Sequence, residues 1–205
     1  MASQFDWQYI LDNLPDLFAG WLMTLRLSLI SIVISMLLGA ILASMQLAAP
    51  NGKIAALIKG YVAFIRNTPL LLQIFFIYFG LPEVGLKLSP FNSGILALSL
   101  WAIAFNSENF RAGLAAVPHG LNEASQALGL SSLLYTAIGV VKNSSYMQVV
   151  GIAELTFVAV DKVSLEFKTV EMFSAITIIY ILTVFLLSML FRLMETRMNH
   201  PFVRG

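Results

Sequence analysis

The residues able to do chemistry here are ionisable or amide side chains that interrupt apolar stretches. Glu108 and Arg111 stand three apart, a spacing that puts both on one face of a helix and lets them pair. Lys142, Asn143 and Ser144 form a polar break, and Glu154 follows inside another apolar run. A charge at the centre of a bilayer costs at least about 2.5 kcal/mol, so each is a functional candidate by default. Glu108 with Arg111 reads first as an ion pair at the end of a span. Arg66 sits just before Pro69 and reads either as part of a pathway or as a headgroup anchor. Lys142, Asn143, Ser144 and Glu154 have no obvious neutralising neighbour in sequence. A pathway carrying both signs would complement an ammonium and a carboxylate on one small cargo; the alternative is that these residues sit at an outer interface.

The elements that must position these residues are membrane spans. The 205 residues are 59% hydrophobic and 11% charged, with a mean hydropathy of +0.84. Soluble domains carry about a quarter charged residues. A span needs about 20 apolar residues to cross about 30 Å of hydrocarbon. Five regions qualify, at about 21–47, 61–81, 93–111, 130–160 and 172–191, the fourth being irregular. Small residues recur four apart in Gly39, Ala40, Ala43 and Ser44, a spacing that lets a second helix approach closely in lipid. Thr68-Pro69 is a helix-start signal, because proline lacks the N–H that a first turn leaves unused. The aromatic run Phe75, Phe76, Tyr78 and Phe79 reads as lipid-facing.

Charge sets an orientation. Short cytoplasmic loops hold the Lys and Arg excess. An outer N-terminus and a cytoplasmic C-terminus put Lys53, Lys59, Arg66, Arg111, Arg192, Arg197 and Arg204 inside. Lys87, Lys162 and Lys168 then lie outside among Asp6, Asp12, Asp16, Glu83, Asp161, Glu166 and Glu171. The acidic start lacks the basic region of a signal peptide, so the first apolar segment is expected to stay in the membrane.

Several chemistries are disfavoured. Cysteine is absent, which removes disulfides, thiolate metal ligands and cysteine nucleophiles. His119 and His200 are too few and too far apart for a metal site. No Gly-x-x-x-x-Gly-Lys-Ser/Thr loop occurs, so ATP is not bound by that device. A net charge of +1 without a basic stripe argues against nucleic acid. No cofactor is called for, and an intramembrane enzyme is the least favoured class.

Four stretches carry a resemblance. Glu123-Ala124-Ser125-Gln126-Ala127-Leu128-Gly129 resembles the Glu-Ala-Ala…Gly signature of permease subunits of ATP-binding-cassette (ABC) importers. Trp21 to Ser28, Phe64 to Gln73, and Lys142-Asn143-Ser144-Ser145 with Gly151-Ile152-Ala153-Glu154-Leu155-Thr156 resemble the polar amino acid branch of that family, in the family's order. The resemblance implies an all-α membrane fold, a type I importer permease at the bacterial inner membrane, with a cytoplasmic coupling loop at about 117–131. There Glu123, Ala124, Ser125 and Gly129 would dock on a separate ATPase; an ordinary amphipathic interfacial helix is the plainer reading of the same spacing. The partners implied are two ABC ATPase subunits, a second permease subunit, an extracytoplasmic amino-acid-binding protein and membrane lipid. The chain departs from the family pattern after Gly129, where the expected Leu-Pro is absent. It is short there by about 20 residues, roughly the length of one span. Two other readings stand beside this one: a channel or carrier that needs no ATPase, and a shortened, inactive permease acting as a scaffold.

Overall fold

The computed structural model describes the backbone of residues 5–115 and 122–199; side chains of 122–130, 195, 198 and 199 lie outside the described set. Among the described residues the chain is all-helical. A short helix α1 (Trp7–Asp12) is capped by Asp6, whose carboxylate accepts from the Tyr9 amide at 3.1 Å. Lys168, between the last two helices, donates to the other Asp6 oxygen at 3.1 Å. The Tyr9 amide first and Lys168 second hold the Asp6 carboxyl below the ordinary carboxylate range. This ties the start of the chain to a turn more than 150 residues away.

Helix α2 (Leu14–Ala48) follows with Pro15 in its first turn. Its 35 residues span about 52 Å at 1.5 Å each, longer than the hydrocarbon core. Its buried face is mostly small or hydroxylic (Gly20, Thr24, Ser28, Ser31, Ser35, Gly39 and Ala43), with Leu17, Leu27, Ile32 and Gln46 also buried, while Leu29, Val33, Leu37 and Ile41 point outward. Lipid tails are as apolar as leucine, so helices associate through close packing and hydrogen bonds, which small and hydroxylic residues permit. The main partner is α5 (Pro90–Ala115). At Gly39 a Cβ would lie 2.8 Å from Asn106 Cβ and 3.2 Å from the Ser107 nitrogen. Beside this contact Asn106 Nδ2 donates to Ser35 Oγ at 3.1 Å.

The expected span at 61–81 is two helices. α3 (Lys53–Asn67) and α4 (Leu70–Phe75) meet at a break, and the path to Val84 turns by 107°. The cause is local. In a continuing helix the Ile65 carbonyl would take the N–H of residue 69, and Pro69 has none. Gln73 Nε2 fills the gap, reaching Ile65 O at 3.0 Å, Thr68 O at 3.1 Å and Thr68 Oγ1 at 2.9 Å. Asn67 and Thr68 side chains take the carbonyls of Ala63 and Phe64. Replacing Gln73 by leucine should strand the buried Ile65 carbonyl and lower stability by about 1–3 kcal/mol. A thermal unfolding curve in detergent that matched the wild type would remove the staple from this account. Beyond α4 a π-helical turn (Phe76–Gly80) and a 3-10 turn (Leu81–Val84) end at Gly85, whose φ of 87° suits glycine.

α6 (Asn122–Asn143) packs on α5, with Gly139 against Trp101. The region expected to be irregular, 130–160, resolves into the end of α6, a 3-10 segment (Ser144–Val150), a turn at Gly151 with φ of 77°, and α7 (Leu155–Glu166). α8 (Thr169–Asn199) closes the bundle and is held to α2 by Trp21 Nε1 donating to Thr183 Oγ1 at 2.8 Å. By length and apolarity α2 and α8 suffice to cross a membrane, and the bent α3–α4 pair counts as a third if taken together.

Candidate functional site

Glu154 is buried completely and serves as the cap of α7. A helix start leaves several N–H groups without partners. Here the Leu155 amide donates to Thr24 Oγ1 of α2 at 3.2 Å. The Thr156 and Phe157 amides donate to the Glu154 carboxylate at 2.9 and 2.7 Å. The Val158 amide takes the Glu154 carbonyl. The Tyr180 hydroxyl of α8 donates to Glu154 Oε2 at 3.0 Å and lies 3.0 Å from Thr156 Oγ1. Tyr180 has one proton and gives it to the carboxylate, so Thr156 donates to Tyr180. Gly20 of α2 completes the contact: a Cβ there would meet the Leu155 Cα at 3.1 Å and the Glu154 carbonyl at 3.2 Å. Glu154 thus joins α2, α7 and α8 around a helix end already filled by its own carboxylate. Read from spacing as a pathway group, it faces no open space in this structure.

The other polar candidates are spread out. Lys142 is exposed in the last turn of α6, where a cation meets the negative end of the helix dipole. Asn143 is half-buried, and Ser144 is buried with its hydroxyl on the Val141 carbonyl. Glu108 and Arg111 pair on α5, with Arg111 Nη2 2.7 Å and Nε 3.1 Å from Glu108 Oε2. The Arg66 guanidinium lies 5.0 Å over the Phe105 ring, and Pro69 occupies the bend. Glu123, Ala124, Ser125 and Gly129 fall within the backbone of α6, with side chains outside the described residues; 116–121, the start of the expected coupling loop, also lies outside them.

An open groove of about 580 Å³ lies between α2 and α7. Asp16, Arg26, Asp161 and Lys162 line it beside Met23 and Ala153. Lys162 Nζ sits 2.7 Å from Asp16 Oδ2. Sequence spacing did not bring these four charges together, because Arg26 and Lys162 lie in separate helices 136 positions apart. Asp16 and Lys162 are engaged with each other, which leaves Arg26 and Asp161, one cation and one anion among apolar walls, as the charges of the groove that could complement a small zwitterion. Among the described residues no group of acids and histidines could hold a metal ion.

The profile of the binding-protein-dependent transport system inner membrane component matches residues 35–144, more than half of the chain. The chain belongs to this family. It is a transport permease component of the inner membrane. The matched region takes in the 64–73 box, the Asn106–Ser35 contact and the 123–129 signature, and ends before Glu154. The permease is similar to the nopaline transport system permease protein NocM of Agrobacterium fabrum, 34% identical over 98% of this chain and 94% of that one. It is 29% identical to the glutamine transport system permease protein GlnP of Escherichia coli K12, over 96% and 99% of the two chains. Among solved structures, an amino acid ABC transporter crystallised with histidines superposes with a TM-score of 0.83 at 30% identity, covering 96% of this permease and 100% of that chain. The MetNI methionine ABC transporter superposes at 0.72 and 18% identity, which is a likeness of fold.

Proposed function

We propose that the permease is one half of the transmembrane path of an ATP-driven importer for amino acids. The observation that carries this reading is the family match over 35–144 together with full-length likeness to permeases of nopaline and glutamine systems. The mixed-charge groove supports a zwitterionic cargo. Lys142, Asn143 and Ser144 remain the sequence's candidates for a later part of the path, and Glu154 acts on that path by fixing the α2–α7–α8 junction.

The basic excess on the loops supports an outer N-terminus and a cytoplasmic C-terminus, with about five crossings. Few helices make few walls, so a second permease subunit, identical or related, completes the route. Two ATPase subunits dock beneath it, and an extracytoplasmic binding protein delivers the cargo. The ATPases hydrolyse ATP; the permease does not. ATP closes the ATPase pair, the segment around Glu123, Ala124, Ser125 and Gly129 moves with it, and the spans re-orient. The ATPase shifts this equilibrium only by as much as it prefers one arrangement of the spans over the other.

The reading is tested at the coupling segment. Glu123→Lys and Gly129→Asp are each expected to reduce ATPase co-purification at least about tenfold, a loss of 1.4 kcal/mol or more, while the variants still insert. Wild-type recovery of the ATPase with both variants would count against it. A shortened scaffold predicts instead that the unsubstituted chain inserts and recruits no ATPase. The alignment to the nopaline permease spans 229 positions but uses 98% of this 205-residue chain, so more than 20 of its positions lack a counterpart here.

A further inference from the structure

α3 presents three parallel strips. Ala55, Ile58, Val62 and Ile65 face the protein and are buried. Beside that strip, Lys59 and Arg66 stand seven residues apart, two turns along one line, and both are exposed. On the other flank Ile54, Leu57 and Phe64 are 52%, 74% and 63% exposed. Lys53 opens the helix and is also exposed.

Charge along this part of the chain is one-sided. No Asp or Glu occurs between Asp16 and Glu83, so α3 carries three cations and no acid. None of the three is in an ion pair among the described residues. Arg66 rests on the Phe105 ring and Lys59 reaches toward the Pro50 carbonyl at 3.5 Å, which leaves their positive charge uncompensated. At 15 residues each, α3 and the segment Leu70–Val84 are both shorter than about 30 Å of hydrocarbon, but α3 carries three cations and Leu70–Pro82 none, so α3 is the half suited to the surface. The 107° bend beyond it means that α3 and the segment to Val84 cannot both run along the membrane normal.

We propose that α3 lies in the plane of the membrane and is a docking surface for anionic lipid headgroups, with Lys59 and Arg66 as the phosphate-facing cations and Lys53, which opens the helix in line with Leu57 and Phe64, reaching the headgroups by its long stem from the first turn. Ile54, Leu57 and Phe64 enter the acyl boundary on one side of the helix axis. The two long basic side chains on the other side reach up to the headgroups, as basic chains do when their stems lie along apolar surface. Charge complementarity selects the occupant: a zwitterionic headgroup offers its phosphate together with an ammonium, whereas an anionic one leaves its phosphate unopposed. The inference depends on membrane embedding and not on the cargo.

The test uses the full-length permease, alone and assembled with its partners, in phosphatidylcholine bilayers containing spin-labelled phosphatidylglycerol or spin-labelled phosphatidylcholine. The unsubstituted chain is expected to prefer the anionic label by about threefold or more. K53Q/K59Q/R66Q should bring that ratio near parity, and R192Q/R197Q, which removes cations from α8, should leave it unchanged. A nitroxide placed at Phe64→Cys should be reached by oxygen dissolved in the acyl region and not by a water-soluble nickel relaxant. Parity in the unsubstituted chain, an undiminished preference in the α3 variant, or an equal loss in the α8 variant would each overturn the proposal. So would shielding of the Phe64→Cys label from both relaxants in the assembled complex, which would make α3 a protein interface.

Discussion

Replacing Glu154 by alanine is expected to destabilise the folded permease by about 2–4 kcal/mol and to abolish uptake. Loss of a helix cap alone costs about 1–2 kcal/mol. The rest comes from the groups left behind: the Thr156 and Phe157 amides lose their acceptor, and the Tyr180 hydroxyl loses its own in a buried setting. Glu154→Gln should fall between, because one amide oxygen can still accept while the NH₂ opposes donors that already point inward. Tyr180→Phe removes one donor and should cost about 1 kcal/mol. The double variant Glu154→Ala/Tyr180→Phe should then cost less than the sum of its parts, since the two share one bond. The measurements are thermal unfolding in detergent and uptake by reconstituted vesicles. A direct cargo contact makes the opposite forecast: Glu154→Gln would change KM for uptake and leave unfolding untouched. That result would return Glu154 to the path and end its role as a positioning residue.

Gly39→Leu is the second large effect expected, with loss of most folded permease from the membrane. A Cβ at this position would already stand 3.2 Å from the Asn106 carbonyl carbon and the Ser107 nitrogen, and backbone cannot swing aside as a flexible side chain can. α2 and α5 would have to separate, lengthening the Asn106–Ser35 hydrogen bond. Overpacking typically costs about 1–3 kcal/mol, and a rigid helix–helix contact belongs at the upper end. Gly60 is the control. It lies in α3 with nothing within 4 Å of a Cβ, so Gly60→Ala should be neutral or gain up to about 1 kcal/mol from helix propensity. Equal amounts of folded Gly39→Leu and Gly60→Ala protein, judged by size-exclusion profile and melting temperature, would show that the α2–α5 approach is not the constraint described here.

Both predictions concern residues whose importance was only partly legible in sequence. Gly39 was legible through its spacing from Ala43, because the four-residue repeat of small side chains is a property of one helix and survives in a linear string. Its partner was not, since nothing in that spacing points to Asn106. The break at Thr68-Pro69 was legible as a helix start, and proline's missing N–H follows from its covalent structure. The 107° turn was not legible, and neither was the role of Gln73 in satisfying the carbonyl that the proline leaves open. The polar stretch at 142–145 was legible as an interruption; the structure makes it a helix end with an exposed lysine followed by a 3-10 segment.

The sequence by itself determined the solvent of this protein, its helical class, the small-residue seam of α2 and the family to which the motifs belong. Each is written in composition or in spacings of a few residues, where the covalent chain enforces the geometry. Only the tertiary structure decided what Glu154 touches. The groups that bind it, apart from its own helix amides, come from α8, and the adjoining Leu155 amide is held by Thr24, 131 positions away. The groove that gathers Asp16, Arg26, Asp161 and Lys162 has the same origin. A charge carries no mark of the charge it will face; that pairing exists only after close packing of α2 against α7 brings distant segments within a few ångströms.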